Sequence, residues 1–289
     1  MRRLFDRPDG EHLKKLSHYN RIIPFVMPKR VDSTAQFSQK LCIDEAEKVL
    51  REMNEEHGLN AGIMDLVMAA FVRTISQKPK VNRFVMGKKI FARTEISSSL
   101  ALKKEMNENA ETTEMKVIYS PEDTLLDVSK KIRVGIENNK GLNTENNQDA
   151  FTKILNLMPD FIISFIIGTV KLLDRLGLLP KSIRELSPFH ASFFITNLGS
   201  LRINPVYHHL YQIGTVSMFL SIGKKYKENE LQKDGTVKTK KYIDLKCVLD
   251  ERIVDGFYAA QAIRLALRYI NNPRLLLVPP NEVIVDNEI

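Results

Sequence analysis

The sequence predicts an α/β fold in which a large mixed β-sheet is flanked by helices. Three observations carry that prediction. Strand-like and helix-like segments are interspersed along the whole length, without the strict alternation of a doubly wound fold. The 289 residues are 43% hydrophobic and 27% charged, enough to fill a core without metal or disulfide staples. No period of 20–50 residues recurs, so a solenoid or propeller is excluded. The two cysteines, Cys42 and Cys247, lie far apart, and neither belongs to a CxxC or a Cys/His cluster, which argues against a disulfide framework or a structural zinc.

The elements follow in order. Residues 44–56 read as a helix, punctuated by Gly58 and Asn60. Ile63, Leu66, Val67, Ala70, Phe71, Thr74 and Ile75 recur at helical spacing until Pro79. From Arg83 to Arg93 the pattern becomes a hairpin, with Met86-Gly-Lys-Lys89 as its turn. Segments 96–103 and 114–119 alternate as further strands. Pro121-Glu-Asp-Thr opens a helix that carries Leu125, Val128 and Ile132 on one face, and 138–149 reads as loop. After Pro188, segments 191–196, 217–222 and 242–249 are strands, with the Gln232-Lys-Asp-Gly turn between the last two. A helix over 257–270 closes the pattern before Pro273. The elements run from end to end, so one domain over residues 1–289 is expected.

The most apolar stretch is 154–179. Its charge-free run after Asp160, Phe161 to Val170, is half the length a bilayer crossing needs. A buried or oligomer-facing helix is one reading of it. The other is an amphipathic helix over 161–179, from Phe161 to Leu179, that touches lipid or lines an acyl-chain pocket. The N-terminus, Met-Arg-Arg-Leu-Phe-Asp-Arg-Pro, reaches charge and proline too soon for a secretory signal, so a cytoplasmic location is expected. The 43 basic against 35 acidic residues give a net charge of +8, suited to an anionic ligand or an ordinary basic surface. The basic residues follow no nucleic-acid-binding pattern, and no nucleic-acid partner is expected.

Three constellations could carry chemistry. Asp250-Glu-Arg-Ile-Val-Asp-Gly256 sits between an apolar strand and the last helix. Buried charges need partners, so Arg252 is expected to pair with Asp250 or Asp255, although Asp255 would also suit the helix N-terminus. Phe193-Phe-Ile-Thr-Asn-Leu-Gly-Ser200 ends a strand in hydroxyl and amide groups, Thr196 and Asn197 among them. Such groups either steady a developing oxyanion or satisfy the turn. Tyr207-His-His-Leu-Tyr211 holds the one pair of adjacent histidines, His208 and His209. In an extended segment they would point to opposite sides, so that at most one faces any one site. His12, His18, His57 and His190 lack metal-ligand spacing, and no metal is expected. GxGxxG, P-loop and GxSxG motifs are absent.

In this order, the pieces resemble the catalytic domain of the dihydrolipoyl acyltransferases of 2-oxo acid dehydrogenase complexes and the related chloramphenicol acetyltransferases. Residues 250–256 are similar to that family's Asp-His-Arg-x-x-Asp-Gly, and Phe194-Ile-Thr-Asn-Leu-Gly199 to its Phe-Thr-Ile-Ser-Asn-Leu-Gly. The helix ending in Pro79-Lys-Val-Asn82 is similar to one ending in Pro-x-x-Asn. The resemblance implies a chloramphenicol acetyltransferase-like fold, a homotrimer, and a site between subunits where coenzyme A, brought as acyl-CoA, meets an acyl acceptor. The family's catalytic histidine falls on Glu251, its serine on Thr196 and its arginine-holding aspartate on Asp255. The candidate bases are therefore His208, His209 and Glu251. No lipoyl domain precedes the matching region, so a free-standing acyltransferase is expected, with a catalytically inactive binding or assembly trimer as the alternative.

Overall fold

The computed structural model describes residues 7–103, 112–140 and 157–288. Among them the chain runs β1 (Gly10–His12), α1 (His18–Val26), β2 (Thr34–Cys42), α2 (Asp44–His57), α3 (Ile63–Gln77), β3 (Arg83–Met86), β4 (Lys89–Arg93), β5 (Ile96–Lys103) and β6 (Thr112–Tyr119). It continues through α4 (Leu125–Lys140), α5 (Asp160–Arg175), α6 (Lys181–Leu186), β7 (Phe193–Asn197), β8 (Met218–Ile222), β9 (Tyr226–Leu231), β10 (Val237–Asp250) and α7 (Gly256–Asn271).

The large sheet is mixed, as expected, with strand order β2-β10-β8-β7-β5-β6 and β9 paired to β10. β7 lies parallel to both β5 and β8, and the remaining pairs are antiparallel. The period of two divides each strand between two faces. Phe193 and Ile195 of β7, Met218 and Leu220 of β8, and Leu245, Cys247 and Leu249 of β10 turn to the main core, which they share with α3 and α7. Each such side chain contributes about 1.5–3 kcal/mol on burial. α3 is buried nearly all round, which explains its broad apolar face in the sequence. Phe194, Phe219 and Val248 turn to the outer face, where Ala191, Leu210 and Val216 form a second, smaller cluster.

The hairpin forms where the sequence placed it, but it belongs to a separate three-stranded sheet, β1-β4-β3, and not to the large one. Its two turn residues, Gly87 and Lys88, have φ of 58° and 65°, the left-handed pair that matches strand twist. The helix α4 continues to Lys140 through part of the expected loop, and 141–149 lie outside the described residues.

Within one chain the helix over 154–179 is not buried, which leaves the oligomer-facing and lipid- or acyl-facing readings. In α5 the one buried side chain is the charged Asp174, while Phe161, Phe165 and Leu172 are exposed. Residues 154–156 lie outside the described part. No helix among the described residues is long and apolar enough to cross a membrane.

Candidate functional site on the outer sheet face

Register brings the outer face of three strands into one row. Thr196 of β7 is paired with Ser221 of β8, and Ser221 with Lys246 of β10. Paired residues share a face, so two hydroxyls and an ammonium lie side by side, flanked by Phe194, Phe219 and Val248. The Ser221 hydroxyl accepts a hydrogen bond from the Val206 N–H at 3.2 Å. The segment 202–216 thus crosses the row, and Lys246 Nζ sits 4.5 Å from the Tyr207 ring centroid.

His208 is fixed on this face by stacking. Its ring lies 4.0 Å from that of Phe219, with an interplanar angle of 7°. The His209 ring stacks on it in turn, 4.5 Å away. The two histidines therefore do not point to opposite sides, as an extended strand would have them. The segment is irregular rather than a strand, and its free torsions let both rings gather on one side. His208 is half-buried and His209 exposed. His208 Nδ1 lies 2.9 Å from the His209 carbonyl oxygen. A carbonyl only accepts, so Nδ1 carries the hydrogen, and in the neutral ring Nε2 keeps its lone pair, the tautomer a general base requires.

Thr196 is half-buried at the end of β7, and Asn197 follows it, its carbonyl accepting the Ser200 hydroxyl at 2.7 Å. Gly199 in the next turn is required by close approach. A Cβ there would meet the Gly223 carbonyl oxygen at 2.6 Å, so the Asn-Leu-Gly stretch fixes how the end of β7 sits against the end of β8.

The ionic constellation takes one of the two expected pairings. Asp250 is fully buried and binds Arg252 through both oxygens, 2.8 Å to Nε and 2.7 Å to Nη2. Arg252 also donates to the Met27 carbonyl at 3.0 Å, holding the end of α1. Asp255 is exposed and caps α7, accepting from the Tyr258 N–H at 2.8 Å. A carboxylate near a helix N-terminus is favoured by the dipole and the free N–H groups. The arginine's partner is thus Asp250, and Asp255 is the cap.

A second arginine, Arg30, shares Asp250 at 3.9 Å. Burial pushes its guanidinium down to about 10, against the pull of Asp250. It donates to the carbonyls of Tyr211 (2.5 Å) and Gly214 (2.7 Å), and Arg93 donates to the Thr215 carbonyl at 2.7 Å. Two buried arginines therefore clamp the far end of the segment that carries His208. Neither Arg30 nor Arg93 stood out in the sequence, although both are cations next to apolar runs.

Glu251 lies exposed on the turn after β10, its N–H bonded to the Ser33 carbonyl at 2.9 Å. It is not brought to Thr196 within one chain. Lys246 is level with Thr196 across β8, and Glu251 is five residues further along β10, about 17 Å at 3.3 Å per residue. Within one chain these two groups do not share a site.

Beside the clamp lies a further buried cluster, Arg7, Asp9, Asp174 and His190. Arg7 binds Asp9 at 2.9 Å and Asp174 at 2.6 Å, and His190 Nε2 stands 3.1 Å from Asp174. Burial alone would raise both carboxyls. The hydrogen bond and charge of Arg7 at Asp9, and those of His190 and then Arg7 at Asp174, outweigh burial and hold both carboxyls below the ordinary value of 3.8. A depressed carboxyl contributes stability above its unfolded pKa and loses it as pH falls through the folded one. The urea midpoint is therefore expected to fall as pH drops below about 4, and Asp174→Asn is expected to flatten that fall. Among the described residues no group of three His, Cys, Asp or Glu could hold a metal ion.

Comparison with known proteins gives this mixed sheet and its outer-face row a likeness among acyltransferase folds. Residues 184–278, which include β7, the clamped carbonyls of 211–215 and the 250–256 turn, match the family described as 2-oxoacid dehydrogenases acyltransferase (catalytic domain). The chain is similar to the probable dihydrolipoamide acetyltransferase of Listeria monocytogenes, with TM-score 0.54, 13% identity, and 91% of this chain and 95% of that chain covered. The cubic core of the pyruvate dehydrogenase multienzyme complex gives TM-score 0.54, 11% identity, and 96% and 95% coverage. Dihydrolipoamide acetyltransferase from Azotobacter vinelandii, studied for a serine, a histidine and an asparagine in its mechanism, gives 0.53, 11%, and 96% and 95%. No curated protein matches the chain. At these identities the shared property is the fold, and it confirms the expected α/β architecture.

Proposed function

We propose that the chain is a coenzyme A-dependent acyltransferase whose reacting groups gather on the outer sheet face, with His208 as the base and Thr196 beside the developing oxyanion. Coenzyme A supplies the acyl group as a thioester. His208 Nε2 takes the proton of the attacking thiol, hydroxyl or amine and returns it to the leaving sulfur. The Thr196 hydroxyl donates to the carbonyl oxygen as negative charge grows on it. Lys246 offers a fixed cation in the same row. The observation that carries this reading is the His208 ring, stacked on Phe219 with its Nε2 lone pair free of the Nδ1 contact.

The reading includes a homotrimer, supported by the strand distance that separates Glu251 from Thr196 in one chain. The exposed Tyr19, Ile22, Phe25 and Val26 of α1 supply apolar surface for such an assembly. The exposed carboxylate of Glu251, which follows Asp250 on the turn after β10, favours one rival, a trimer that kept the scaffold for binding.

Thr196→Ala separates the two. Loss of one oxyanion donor is expected to lower kcat about 10²-fold with little change in acyl-CoA affinity. A variant with unchanged turnover would remove Thr196 from the chemistry. Equal acyl-CoA binding with no turnover in either protein would support the rival.

A further inference from the structure

The face of α5 turned to solvent is built like a surface that meets lipid. The helix has 16 residues, about 24 Å at 1.5 Å each. Its inward side is Ile163, Ile167 and Val170, all half-buried, with Asp174 buried beneath. The opposite side carries Phe161, Phe165, Gly168, Leu172 and Leu176, spaced by four, three, four and four residues along one stripe. All five are exposed, the two phenylalanines at 73% and 75%. Leu178, just past the helix, is exposed as well. An ordered apolar stripe of this length facing water calls for an occupant.

Charge selects which. Of the acidic groups on the helix, Asp174 is turned inward and neutralised by Arg7 and His190. That leaves Asp160 at the first turn and the exposed Lys171 and Arg175 beside the stripe's C-terminal half. Lys181 follows, partly countered by Glu185 at 3.5 Å. Lys88 and Gly87 of the β3–β4 turn lie against the same end, with the Gly87 Cβ position 3.5 Å from Arg175 Cγ. This cationic rim attracts an anionic bilayer surface. The helix is too short and too polar at its end to span.

We propose that α5 lies in the plane of an anionic lipid surface, with Phe161, Phe165, Leu172 and Leu176 inserted below the headgroups and Lys171 and Arg175 at headgroup level. The proposal is independent of the acyl-transfer reading, because no residue of the stripe belongs to the outer-face site. It places a coenzyme A-dependent reaction at a membrane surface if both hold.

The test is co-sedimentation of the intact chain with vesicles of phosphatidylcholine, alone and mixed with phosphatidylglycerol. Wild type is expected to pellet with the mixed vesicles, and less at high salt. The double variant Phe161→Glu, Phe165→Glu is expected to bind at least roughly tenfold more weakly, since it takes the two largest apolar side chains of the stripe out of contact with lipid. Both positions are exposed, so the variant keeps its circular dichroism spectrum. Lys171→Glu is expected to weaken binding to the mixed vesicles while leaving any residual binding to phosphatidylcholine unchanged. Wild type left in the supernatant with anionic vesicles would overturn the proposal, as would equal binding by the double variant. So would a double variant whose sedimentation coefficient changes while its vesicle binding does not, which would mean that a second copy covers the stripe.

Discussion

Replacing His208 by alanine is expected to slow acyl transfer by about 10²–10⁴-fold, the range for a positioned general base. The same change in His209 is expected to leave most of the rate. The contrast follows from geometry. His208 is held flat against Phe219 with its Nδ1–H engaged, and His209 is the exposed outer member of the stack. Loss of the stacking contact costs only about 1 kcal/mol, so His208→Ala is expected to remain folded, with its acyl-CoA affinity close to that of wild type. A His208→Ala protein that retains wild-type kcat would move the base elsewhere, to Glu251 of a neighbouring copy or to no residue at all.

Asp250→Ala is expected to destabilise the chain by about 3–5 kcal/mol, the cost of leaving a buried charge without its partner. Two guanidiniums depend on this one carboxylate, Arg252 through a bidentate contact and Arg30 at 3.9 Å. Their release also frees Met27 at the end of α1 and the Tyr211–Gly214 carbonyls behind His208. Activity is therefore expected to fall with stability. Asp255→Ala, which removes a helix cap and no ion pair, is expected to cost only about 0.5–2 kcal/mol. Urea unfolding of the two variants ranks them. The reverse order would mean that Asp255 holds the arginine after all.

The strands and helices of the main core were legible because their apolar residues recur at periods of two and nearly four, and α3 and α7 are plain examples. β9 was not legible. Its Tyr-Lys-Glu-Asn-Glu-Leu alternates between half-buried and exposed and has no side chain in the core, so hydrophobicity marks nothing. β2 was missed because polar Gln39 sits among its apolar positions Ala35, Phe37 and Leu41 at the sheet edge.

At the site, Thr196, Asn197, His208 and the 250–256 turn stood out by residue type. Their arrangement did not, since neither the stacking of two adjacent histidines nor the choice of Asp250 over Asp255 is written in local spacing. Ser221 and Lys246 were passed over as parts of apolar strands. Lys246 was readable in principle, because Ile243, Leu245, Cys247 and Leu249 alternate with Asp244, Lys246 and Val248 and so put Lys246 on the other face. What no single-chain pattern carries is the pairing of β7 with β8, which sets Thr196 level with Lys246.

Release of free coenzyme A thiol from a series of acyl-CoA esters, with and without thiol, hydroxyl and amine acceptors, bears most directly on the central claim. Wild type is expected to release thiol in an acceptor-dependent way, and the Thr196→Ala and His208→Ala variants to lose that release while still binding the ester. A wild-type chain that binds acyl-CoA yet releases no thiol with any acceptor, or one that does not bind it at all, would contradict catalysis on the outer sheet face.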